Sequence, residues 1–163
     1  MHIDKNAGFT IMEIVAVLIV MGIVVAFAIG RGMSPGNEAA VQSEVLKTHL
    51  RHAQVRALNS NIHWGIRTDA AGNSYWMFSF DGTIPTQVRL PGENADDVDL
   101  SARGLTLSPG TYTFDSRGIP YFTDPSGTPG QAGTELGANQ SLTITKGAET
   151  SSITITKNTG FIP

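Results

Sequence analysis

The sequence predicts an α+β chain: a long N-terminal α-helix, one half transmembrane and one half amphipathic, packed on a C-terminal antiparallel β-sheet head. Three observations predict it. From Phe9 to Ile29 the residues are apolar apart from Thr10, Glu13 and Gly22. Val41, Val45, Leu46, Leu50, Ala53, Ala57 and Leu58 then recur at three- and four-residue steps, the spacing of one helix face. Beyond Asn61 follow short β-type runs separated by Gly, Asp and Pro clusters. With 163 residues, 40% apolar and 15% charged, the chain has material for one core. Fourteen acidic against eleven basic residues give a formal charge of −3, so no overall basic field holds a polyanion and nucleic acid is not an expected partner. The absence of cysteine excludes disulfides, thiolate nucleophiles and thiolate metal sites.

As a helix, Phe9 to Ile29 would rise about 31 Å, which matches a bilayer core of roughly 30 Å and predicts a single membrane pass. A secretory signal peptide cut after Ala26-Phe27-Ala28 competes, but its apolar region usually has about 7–15 residues and no carboxylate. A plain anchor leaves Glu13 unexplained, because an acidic residue costs about 2.5–3.5 kcal/mol near the centre of a span. The preceding residues 1–8 form a short polar leader ending in Gly8. Cutting there creates an amine on Phe9, placed i to i+4 from Glu13, whose carboxylate also faces the positive end of the helix dipole. Residues 9–29 are therefore read as the transmembrane and assembly helix, and 30–37 as a hinge, since Gly30, Gly32, Pro35 and Gly36 disfavour helix. The amphipathic helix runs over 38–60, ending at Asn59-Ser60-Asn61, where Asn tolerates the left-handed conformation.

In the β-rich part, 61–163, strands are expected at Ile62–Arg67, Tyr75–Phe80, Gln87–Leu90, Thr111–Asp115 and Pro120–Phe122. Leu142–Thr145 and Ile153–Thr156 alternate strictly and read as a hairpin with Leu142, Ile144, Ile153 and Ile155 inward. Asp124 to Gln140, rich in Gly with two prolines, reads as a surface loop.

The run Gly8-Phe9-Thr10-Ile11-Met12-Glu13 with the apolar stretch behind it resembles the prepilin signature of type IV pilins and type II secretion pseudopilins. The head resembles most the minor pseudopilins of the general secretion pathway protein H type, in Leu50–Ile66, in the turn Phe114–Gly118 and in Ile153–Phe161. The resemblance implies a pilin-like fold. It also implies cleavage by a prepilin peptidase between Gly8 and Phe9, N-methylation of Phe9, and Glu13 as the glutamate of subunit assembly. By the same resemblance the chain is a minor pseudopilin of a type II secretion pseudopilus, held in the bacterial inner membrane with its head in the periplasm and incorporated into a filament. Its partners would be other pilin or pseudopilin subunits, the peptidase, the inner-membrane assembly platform and the membrane. The rival readings are a type IV pilin and an anchored binding module for carbohydrate or DNA. The missing C-terminal cysteine pair of many pilins favours the pseudopilin. The module would be favoured by exposed Trp64 and Trp76. A DNA-binding relative uses arginines in its tail, and residues 157–163 contain none.

No enzyme, cofactor or metal site is expected. His49 and His52, at i and i+3, have a spacing that suits a metal but lack a third ligand, and are read as a solvated helix face. Asp96, Asp97 and Asp99 resemble part of a calcium loop, but Ala102 stands where its glycine belongs, and a solvated turn is the expectation. Gly127–Gly137 fits neither phosphate-binding motif, and no nucleophile elbow occurs. Trp64, Tyr75, Trp76 and Phe78 are expected in the core.

Overall fold

The computed structural model describes residues 11–32, 37–123 and 134–163. They fall into two compact units divided between Pro35 and Gly36. The first contains one helix, α1 (Ile11–Gly32). The second contains α2 (Glu38–Leu58) and the strands.

The expectation of one long helix with a transmembrane half is corrected here. There are two separate helices, and no helix among the described residues is long and apolar enough to cross a membrane. Helix α1 includes Gly30, Arg31 and Gly32, so the first three residues of the expected hinge are helical. A single-pass transmembrane protein of the inner membrane is accordingly not supported.

In the second unit, β1 (His63–Thr68), β2 (Ser74–Phe80), β3 (Thr86–Val88), β4 (Val98–Asp99), β6 (Thr111–Phe114), β7 (Pro120–Thr123) and β8 (Thr134–Glu135) form one antiparallel sheet in the order β3-β2-β1-β6-β7-β8, with β4 also on β2. A smaller sheet is ordered β10-β9-β5, from β5 (Thr106–Leu107), β9 (Gln140–Lys146) and β10 (Glu149–Ile155). The β9–β10 hairpin pairs Leu142 with Ile153 and turns through Gly147-Ala148, Gly147 taking the positive φ of 58° that such a tight turn needs. Leu142, Ile144, Ile153 and Ile155 are all fully buried, as the alternation requires. The expected loop from Asp124 to Gln140 is shortened at its end, because Thr134–Glu135 pairs with β7 and β9 begins at Gln140. Residues 124–133 lie outside the described residues.

Helix α2 packs on β1 of the large sheet and on β9 and β10 of the small one. Leu46, Leu50, Ala53 and Ala57 meet Ile66, Tyr112, Phe114, Ile144 and Ile155 in a single core. The stripe is rotated from expectation: Val41 and Leu58 are exposed, while Ala39, Gln42, Ser43 and His49 are buried. The helix start is fastened to the hairpin by the Lys146–Glu38 ion pair and by Ser151 Oγ donating to Ser43 Oγ at 2.9 Å. Its end also differs from expectation. Asn59 has φ −95°, not left-handed; the last carbonyls accept the Asn59 and Ser60 backbone N–H groups, at Val55 and Ala57, and side chains add to these, Asn59 Nδ2 donating to the Val55 carbonyl and Ser60 Oγ to that of Arg56, both at 2.8 Å.

Candidate functional site

The described part of the expected assembly site is α1. Its large apolar residues are exposed around the whole circumference, among them Ile11, Met12, Val17, Leu18, Met21 and Val24. A helix of this kind has no polar face to offer water. Glu13, also exposed, is the acidic residue of the first turn, where its charge complements the amide ends of the helix. Gly8 and Phe9, the expected cleavage and methylation residues, lie outside the described residues.

On the head, the pieces that drew attention in sequence come together at the end of α2. Asp115 is buried and organises the turn between β6 and β7. Its Oδ1 accepts the Arg117 and Ile119 N–H groups at 2.9 Å each, and its Oδ2 accepts Arg117 Nη2 at 2.9 Å. Burial alone would raise the Asp115 carboxyl, but the Ile119 amide and the Arg117 bonds outweigh it and hold it below the usual range. Gln54 Nε2 donates both to the Gly118 carbonyl at 3.1 Å and to the Thr159 carbonyl at 3.0 Å. Arg51 Nη2 donates to the Ile162 carbonyl at 2.8 Å. Gly160, at φ 63°, has no room for a side chain: a Cβ there would lie 2.6 Å from the Gly118 oxygen. The turn, the tail and the helix are thus one joint, built for rigidity.

Of the histidine pair expected on a solvated face, His52 is half-buried and His49 is not solvated. His49 is buried and its Nδ1 lies 3.0 Å from the Tyr75 hydroxyl. Gln42 Nε2 donates to the same hydroxyl at 3.3 Å, and Arg103 Nη1 donates to Gln42 Oε1 at 2.8 Å. Burial pushes the Tyr75 phenol well above its ordinary range, and the charge of Glu93 adds to this. Sequence reading missed this row. The available signal was the seven-residue separation of Gln42 and His49, which puts two polar groups on the buried face of one helix.

Asp96 pairs with Arg89 at 3.1 Å, and Asp99 accepts Ser101 N–H at 2.8 Å, opening the short 3-10 helix Ser101–Arg103. Both carboxylates are engaged in local structure. Among the described residues no group of three or more His, Asp or Glu is placed to hold a metal. Tyr75 and Phe78 are fully buried. Trp64 is buried beneath Arg56 and donates Nε1 to Ser60 Oγ at 2.8 Å, whereas Trp76 is only half-buried. No family model, curated protein or solved structure matches the chain.

Proposed function

We propose that the chain is a structural subunit of a pilin-like filament, a minor pseudopilin of a type II secretion pseudopilus, processed between Gly8 and Phe9. The observation that carries this reading is α1: apolar on every side, exposed, and bearing one carboxylate in its first turn. Such a surface far exceeds the apolar patches that monomers leave in water and calls for a cover. Copies of the same helix supply that cover in a filament. There Glu13 meets the Phe9 amine of a neighbouring copy, and the surrounding apolar side chains strengthen their attraction well beyond its value in water. The head's buried core and rigid joint suit a building block, and its work is assembly rather than turnover.

The test is made in the cells that produce the protein. Mass spectrometry is expected to find Phe9, N-methylated, as the first residue of the mature chain, and a start at Ile29 would overturn the proposal. Glu13→Ala is expected to be cleaved normally yet to fail to crosslink to filament neighbours. Wild-type amounts of crosslinked product would remove the carboxylate from any role in joining subunits.

A further inference from the structure

The row Arg103, Gln42, Tyr75, His49 has a direction, and the direction follows from chemistry. A guanidinium only donates. Arg103 therefore fixes the Gln42 amide with its oxygen toward Arg103 and its nitrogen toward Tyr75. The Tyr75 oxygen accepts from that nitrogen, so its own proton goes to Nδ1 of His49, 3.0 Å away. Nδ1 is then the acceptor, and the neutral ring carries its proton on Nε2. One string of donors thus joins the 3-10 helix, α2 and β2.

Acid reverses the string. An imidazolium donates from both nitrogens, so Nδ1–H points at the Tyr75 oxygen and the phenol proton loses its acceptor. In a buried site an unmatched donor is costly, and the phenol recovers a partner only if the Gln42 amide turns its oxygen inward. The amide nitrogen then faces the Arg103 guanidinium, donor against donor. Arg103 lies at the exposed surface and has water to go to. Other charges face the ring as well. Glu93, from the segment between β3 and β4, favours the proton, while His52 on α2 opposes it; burial is the largest influence and sets His49 below the ordinary histidine range.

We infer that the buried row from Arg103 to His49 is a proton-driven latch: protonation at Nδ1 turns the Gln42 amide and releases Arg103, with the Ser101–Arg103 turn, from helix α2. The latch is independent of the filament reading, since it lies wholly within the second unit.

The experiment is nitrogen-15 NMR of the full chain in detergent micelles, from about pH 8 to about pH 4, spanning the ordinary histidine range. At the alkaline end the Nε2–H tautomer of His49 is expected. On acidification the His49 ring, the Gln42 side-chain amide and the Arg103 side chain are expected to shift together, with one midpoint below about 6.5. In Tyr75→Phe, His49 still titrates but the Gln42 and Arg103 signals stay in place. Three results would each overturn the latch: an Nδ1–H tautomer at the alkaline end, a stationary Gln42 amide in the wild type, or an Arg103 response in Tyr75→Phe as large as in the wild type, which would indicate charge repulsion alone. If Tyr75→Phe does not fold, Gln42→Met takes its place, with Arg103 expected to lose its response to the titration of His49.

Discussion

Asp115 shows how much one side chain organises. Its two oxygens accept two backbone amides and the Arg117 side chain, so the β6–β7 turn is held from a single buried carboxylate. Asp115→Ala leaves those amides without their acceptor and is expected to destabilise the head by about 2–3 kcal/mol, read as a shifted urea midpoint at unchanged slope. The acid response has a definite sign. Because the folded carboxyl titrates below its unfolded value of about 3.9, its contribution is fully present above that pH and is lost as the pH falls through the lower, folded value. Asp115→Asn should therefore flatten the loss of stability below about pH 4, measured by denaturant melts at stepped pH. A profile as steep as that of the wild type would show that other carboxylates carry the acid response.

Helix α2 is the element on which the head is assembled, and its two faces make different predictions. Leu50 is fully buried between the sheets, so Leu50→Asp places an unpaired charge in the core and is expected to cost about 4 kcal/mol or more. Val41 has the same apolar character in sequence but is 61% exposed, and Val41→Asp is expected to change stability by no more than about 0.5 kcal/mol. Thermal melts of the two variants test the rotation of the stripe directly: equal losses would return Val41 to the core. The hairpin needed no such adjustment, because a period of two leaves only one choice of inward face once Leu142, Ile144, Ile153 and Ile155 share it.

At the scale of the whole molecule the chain is two units with opposite relations to water. The unit from Gly36 to Pro163 has its own core and both sheets, so a fragment beginning at Asn37 is expected to melt cooperatively and to sediment as a monomer with mixed α and β circular dichroism. The full chain carries α1 with its apolar residues outward and is expected to associate in a concentration-dependent way when detergent is removed. An unfolded fragment would show that the head depends on residues before Asn37. A full chain that stays monomeric at high concentration would remove the need for a cover on α1.

Sequence alone determined the features whose causes are local. The apolar run made α1, and three- and four-residue periodicity made α2. Alternation made β9 and β10 and chose their buried face, and turn residues separated β1, β2, β6 and β7. Tertiary structure decided whatever depended on a distant partner. Gln42 and His49 are buried in place of Val41 and Leu58 because Tyr75 and Arg103, 33 and 61 residues from Gln42, satisfy polar atoms that would otherwise be expelled. The two-residue strands β4, β5 and β8 have too few residues to show a period and exist only because β2, β9 and β7 offer them unpaired edges. The reason is the same in both cases: a residue's own preferences are read from its neighbours in sequence, but the cost of burying it is set by the groups that meet it in space.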